Sequence, residues 1–143
     1  MLHYNKRAKR AIEHYNNTTI CFMKQILLIE DDPFLVEIYT TKLKKAGFQV
    51  VVAGDGDEGL RKMKEKTPDL LLLDIVLPSL NGWEILRNIK KNPKLSNVKV
   101  VILSNLGERD EIEKGLKLGA VRYLVKAHYT PSEVVEEIKK ILK

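Results

Sequence analysis

Cysteine is almost missing from this sequence: Cys21 is the only one, so no disulfide can form within the chain, and a reducing compartment is expected. Long apolar runs are missing as well. The longest hold about five or six residues, against the roughly 20 that a membrane-spanning helix needs. A basic stretch, Lys6, Arg7, Lys9 and Arg10, precedes the segment from Thr18 to Met23, but that segment is too short and too polar for a signal-peptide core. A cytoplasmic protein without a membrane partner is therefore expected. No glycine-rich loop follows the first apolar run, where Glu30-Asp31-Asp32-Pro33 stands instead, and carboxylates there would repel a cofactor phosphate. That argues against a flavin or nucleotide enzyme. His3, His14 and His128 share no metal-ligand spacing. No internal repeat, low-complexity linker or second domain is visible.

What is present suits a single domain: 143 residues, 44% hydrophobic and 31% charged. The net charge of +6 is unevenly spread, since residues 1–24 carry five basic side chains against Glu13 alone. The body is nearly balanced, so nucleic acid is not an expected partner. Residues 1–23 read as a basic N-terminal extension, poorly ordered or partly helical, and residues 24–143 as the folded domain, with Met23 a candidate internal start.

Within the domain, short runs rich in leucine, isoleucine and valine alternate with segments whose apolar residues recur at three and four. The runs are Gln25 to Ile29, Gln49 to Ala53, Leu70 to Leu73, Val98 to Leu103 and Val121 to Val125. Being apolar at nearly every position, they suit strands covered on both faces, as in a parallel sheet. The spacing predicts helices over Pro33–Ala46, Asp57–Lys66, Asn81–Lys91 and Glu108–Leu118, with Gly47 and Gly119 as left-handed closures. A last helix is signalled by Thr130, Pro131 and Glu133 in capping-box order. Asp32 reads as a helix cap, and Phe34 and Trp83 as helix residues packing on the sheet. Five strand-helix units with right-handed crossovers give an αβα sandwich whose site lies beyond the carboxyl ends of the strands.

Four of those ends carry chemistry. The first strand runs into Glu30-Asp31-Asp32, the third into Asp74, the fourth into Ser104 and the fifth into Lys126. Parallel strands share one carboxyl edge, so these side chains converge. Clustered carboxylates repel unless a cation sits among them, and oxygen ligands favour a hard ion such as Mg²⁺. Asp31 and Asp74 are the expected direct ligands, with the Val76 carbonyl and Glu30, the latter directly or through water. Lys126 then offsets the charge of an incoming phosphoryl group while Asp74 attacks phosphorus. Ser104 can donate to the bound phosphoryl, and Tyr123 can change rotamer in response.

The pieces Ile-Glu-Asp-Asp at 29–32, Leu-Leu-Asp-Ile-Val-Leu-Pro-Ser-Leu-Asn-Gly at 72–82, Ile-Leu-Ser at 102–104 and Tyr-Leu-Val-Lys at 123–126 occur in order. With them the chain resembles the receiver domains of bacterial two-component response regulators of the small chemotaxis-regulator type, over about Lys24 to Lys143. The resemblance implies a flavodoxin-like, doubly wound five-stranded parallel sheet of order 2-1-3-4-5. It also implies Glu30 and Asp31 as the acidic pair, Asp74 as the phosphorylated aspartate, Ser104 as the conserved hydroxyl, Tyr123 as the switch aromatic and Lys126 as the invariant lysine. Pro78 and Gly82 match the residues that shape the loop after the acceptor. The donors implied are sensor histidine kinases or histidine phosphotransfer proteins, and the output is an unidentified protein target. Such a protein is a signalling switch that promotes its own phosphorylation and dephosphorylation. Homodimerisation through the face of the fourth helix, fifth strand and fifth helix is a further possibility. Two departures, Asn105 where a small residue is usual and Ala127 where proline is usual, leave a non-switching interaction module of the same fold as the alternative. With Ala127, a cis bond after Lys126 would cost about 2.5 to 4 kcal/mol, so trans is expected.

Overall fold

The computed structural model describes residues 23–143. The basic extension, with His3, His14 and Cys21, lies outside the described residues. Strands β1 (Gln25–Ile29), β2 (Gln49–Ala53), β3 (Leu70–Leu73), β4 (Lys99–Ser104) and β5 (Arg122–Val125) alternate with helices α1 (Pro33–Lys45), α2 (Gly56–Glu65), α3 (Gly82–Lys91), α4 (Arg109–Lys117) and α5 (Pro131–Ile141). All strand pairs are parallel and the order is β2-β1-β3-β4-β5. This is the α/β, flavodoxin-like sandwich that the sequence implies. The Lys126–Ala127 bond is trans, as are all peptide bonds among the described residues.

The leucine-rich runs become strands because a parallel sheet buries both faces, leaving no position for a polar side chain. All four residues of β3 are buried, and two separate cores result. Leu27, Ile29, Leu71, Leu73, Val100 and Ile102 meet Met63 of α2 and Ile85, Leu86 and Ile89 of α3 on one side. On the other, Ile26, Leu28, Leu70, Leu72, Val101 and Leu103 meet Tyr39 and Leu43 of α1 and Val134, Val135 and Ile138 of α5. Truncating one of the central leucines, such as Leu72, removes packing worth about 2 to 5 kcal/mol.

Local signals set most of the boundaries. Asp32 accepts from the Phe34 amide at 2.9 Å and caps α1, and Thr130 and Glu133 form the capping box of α5. Gly47 and Gly119 have φ of 94° and 107°. One expectation fails on α1. Phe34 is 78% exposed, so it does not pack on the sheet. The stripe that reaches the core runs through Leu35, Tyr39 and Leu43. Trp83, in contrast, packs partly against the core, with the Lys114 ammonium 4.4 Å from its ring centroid.

Candidate functional site

Glu30, Asp74 and Ser104 are the buried polar or charged residues among those described, and all three stand at the carboxyl edge of the sheet. Strand register explains the gathering. Ile29 pairs with Leu73, which sets Glu30 beside Asp74, and Ser104 pairs with Val125, which sets Lys126 next to them. The backbone continues the ladder: the Asp74 amide donates to the Ile29 carbonyl at 3.1 Å, and the Glu30 amide to the Ala53 carbonyl at 3.1 Å.

Lys126 closes the group from a distance of 96 positions in sequence. Its Nζ donates to Glu30 Oε1 at 2.7 Å and to Asp74 Oδ2 at 2.8 Å. The other oxygen of Asp74, Oδ1, accepts from the Val76 amide at 3.3 Å, so the carboxylate plane is held from both ends. Asp31 is exposed, and its amide donates to Glu30 Oε2 at 3.2 Å. One oxygen from each of Glu30, Asp31 and Asp74 lies within 4.8 Å of the others. The structure thus brings the predicted acidic trio and the lysine into one cluster.

The loop after Asp74 is shaped by close approach. The Gly82 amide donates to the Ile75 carbonyl at 2.9 Å. A Cβ on Gly82 would sit 2.7 Å from both the Asp74 carbonyl oxygen and the Ile75 Cα, distances no side chain tolerates. Glycine is therefore required for α3 to begin directly against the end of β3.

On the far side, the Ser104 hydroxyl accepts from the Leu106 amide at 3.3 Å, while the Tyr123 hydroxyl donates to the Leu106 carbonyl. The amide and the carbonyl of one residue, Leu106, are thus tied to the two residues predicted to communicate. The Tyr123 ring packs against Gly115 of α4, where a Cβ would meet its Cδ2 at 2.8 Å.

The electrostatics follow from two buried carboxylates sharing one ammonium. Burial raises the Glu30 carboxyl to about 7, helped by the nearby Asp74 and opposed by Lys126. Burial alone would lower the Lys126 ammonium, but its bonds to Asp74 and Glu30 outweigh this and its pKa is raised. Burial likewise raises the Tyr39 and Tyr123 phenols. The cluster carries more carboxylate than it has cation to balance, its donors are all hard oxygens, and Asp31 opens it to solvent. That donor set fits a divalent metal, held by Glu30, Asp31 and Asp74.

Two participants escaped the sequence reading. Tyr39 was not singled out, yet it lines the same cavity as Glu30, Asp74 and Lys126. A phenol within an otherwise apolar helix stripe was the available signal. The Leu106 backbone had no signal at all, because a peptide group is invisible in side-chain patterns.

Residues 26–139 match the response regulator receiver domain family, and the chain belongs to it. The DNA-binding response regulator MtrA of Mycolicibacterium smegmatis is 35% identical over 120 residues, covering 84% of this chain and 51% of that protein. The chain spans about half the length of the curated relatives it matches. A crystal structure of a putative response regulator from Chloroflexus aurantiacus superposes with a TM-score of 0.77 at 28% identity, covering 84% of this chain and 98% of that one. The Mn(2+)-bound form of response regulator Rcp1 superposes with a TM-score of 0.76 at 27% identity, covering 83% and 94%. The fold and the acidic, metal-coordinating cluster are those typical of phosphoaccepting response regulators.

Proposed function

We propose that residues 24–143 form a phosphorylation switch in which Asp74 accepts a phosphoryl group from a phosphohistidine on a sensor kinase or phosphotransfer protein. The observation that carries this reading is the grip of Lys126 on both Glu30 and Asp74 beside the exposed carboxylate of Asp31. Mg²⁺ is the cation we assign to Glu30, Asp31, Asp74 and the Val76 carbonyl; when bound, it supplies neutralisation of phosphoryl oxygens. The Mn²⁺ in the related Rcp1 supports a divalent ion of this size.

Asp74 is the nucleophile. The Val76 amide and Lys126 hold its carboxylate plane fixed, which lowers the entropic cost of in-line attack on phosphorus. As the new O–P bond forms, the P–N bond to imidazole breaks and its electron pair stays on the ring nitrogen. Lys126 then shifts part of its charge to a phosphoryl oxygen, which compensates for the carboxylate charge that Asp74 has lost. Ser104 is buried and has its hydroxyl committed to the Leu106 amide; donating to a phosphoryl oxygen reorients it and loosens that tie. Because the Leu106 carbonyl also accepts from Tyr123, movement of Leu106 frees the Tyr123 hydroxyl. A charge event at Asp74 thereby reaches α4, β5 and α5, the face we assign to an unidentified protein target or to a second copy of the chain.

The test is incubation with a small acyl phosphate and Mg²⁺ followed by intact-protein mass spectrometry. A gain of about 80 Da is expected, absent in Asp74→Asn; no gain in the unmodified chain returns the protein to a non-switching interaction module. Val76 bears on how long the signal lasts. Its side chain is 61% exposed beside the acceptor and has no polar atom with which to position a hydrolytic water. The phosphoryl group should persist for many minutes, and Val76→Asn should shorten its life; loss within about a minute in the unmodified protein would contradict this.

A further inference from the structure

The five helices all begin at the carboxyl edge of the sheet and end at the opposite pole, some 15 to 20 Å away along the strands. That far pole is crowded with lysine. Every helix carries basic residues in its last turn: three in α1, and two each in α2, α3, α4 and α5. Complementing the helix dipole explains some of them. It does not explain Lys24 and Lys99, which stand where strands begin, or Lys94, in the short 3-10 turn Pro93–Leu95 that follows α3. Among the described residues Lys44, Lys45, Lys66, Lys91, Lys94 and Lys117 have no carboxylate partner. The acidic residues at this pole are fewer: Asp69 is taken up by the Gln25 amide at 2.7 Å, Glu136 by Lys139 at 3.0 Å and Glu137 by Arg122, which leaves Glu65.

Two apolar side chains stand exposed within the same surface. Leu116, in the last turn of α4, is 46% exposed, and Val121, in the turn that enters β5, is 45% exposed. Lys117 adjoins Leu116, the Lys90 ammonium donates to the Lys117 carbonyl at 3.4 Å, and Lys99 lies beside Val121 through the Val121 amide bond to Val100. Arg122, the pole's arginine, is already bound to Glu137 at 2.7 Å. Lysine offers point charges without the bidentate geometry that reads bases, and apolar tips set among lysines suit the boundary between phosphate headgroups and acyl chains.

We propose that this pole is an electrostatic docking face for an anionic phospholipid surface, holding the molecule with the Asp74 edge turned outward and open to partners. The contact is peripheral, and it needs no spanning segment. A nucleic-acid duplex is the rival polyanion.

Sedimentation of the full chain with phosphatidylcholine vesicles containing about 30% phosphatidylglycerol tests it against pure phosphatidylcholine vesicles and a mixed-sequence DNA duplex. Binding to the anionic vesicles is expected, about tenfold or more above the neutral ones, and falling as salt is raised. Reversing three exposed charges, Lys44→Glu, Lys45→Glu and Lys117→Glu, should reduce it about tenfold or more. Leu116→Gln with Val121→Thr should weaken it severalfold without altering the salt dependence. Circular dichroism melts of both variants verify folding. Equal retention by both vesicle types, or anionic binding indifferent to the triple reversal, overturns the proposal. So does tighter binding to the duplex that ignores the Leu116 and Val121 changes, which would assign the pole to nucleic acid.

Discussion

Glu30 and Asp74 share a single ammonium, so when both are ionised one negative charge is left over in a buried place. The surplus is relieved by a proton on Glu30 or by a divalent cation, and the two compete. Glu30 is raised from 4.5 to about 7 in the folded protein, chiefly by burial. The folded chain therefore holds a proton that the unfolded chain releases, and the stability this gives is fully present below about pH 4.5 and lost as pH rises through about 7. A shift of this size corresponds to about 3 kcal/mol. Thermal melts in chelator should show this contribution declining from pH 5 to pH 8, and Glu30→Gln should remove it. Metal uptake has the opposite sign. Calorimetry in buffers of different ionisation enthalpy should show proton release on Mg²⁺ binding below pH 7, with weaker apparent affinity as pH falls.

Among the elements, α4 is the least anchored. Gly115 is its buried residue, whereas α3 buries Ile85, Leu86 and Ile89, and α5 buries Val134, Val135 and Ile138. Its contact with the sheet depends on a glycine pressed against Tyr123, so the helix and the aromatic ring must move together. Hydrogen exchange should be fastest, among the five helices, in α4 and the 105–108 loop, and should change there on phosphorylation. Tyr123→Phe should speed exchange at Leu106 by removing the bond to its carbonyl, while leaving the acyl-phosphate reaction within about twofold. Uniform protection across α3, α4 and α5 would contradict this account.

The same contrast explains what could be read from sequence. Strands β1, β2 and β3 match their predicted bounds because an uninterrupted apolar run has no other stable place in a soluble fold. β4 and β5 start one residue later than expected, since Val98 and Val121 are apolar for reasons of loop packing and exposure. The acidic trio and Lys126 were legible because strand polarity forces their convergence once the sheet is assumed. Phe34 was misread because an apolar residue in a first turn has no periodic signature of which way it faces. The Leu106 clamp stayed hidden because it consists of main-chain atoms.

At the scale of the whole molecule, the topology separates charge along one axis. Helix starts bring Asp55, Asp57, Glu84, Asp110 and Glu111 to the site edge, and helix ends bring lysine to the other. Approach to Asp74 is therefore against a negative field for a free phosphate and with it for a phosphodonor ringed by cations. Phosphorylation by small acyl phosphates should accelerate about severalfold as salt is raised from 10 to 150 mM at saturating Mg²⁺. A rate that falls with salt would show that the edge attracts anions.

The placement of Lys126 on the final strand has a consequence for biosynthesis. A nascent chain emerging from the ribosome exposes Glu30, Asp31 and Asp74 long before the lysine that must sit between two of them has been translated. Until β5 docks, the cluster lacks its ammonium, and on the proposed function Asp74 is not yet set up to attack a phosphoanhydride or phosphoramidate. On that reading, competence to accept a phosphoryl group certifies that synthesis of the domain has reached β5, and half-made copies stay silent.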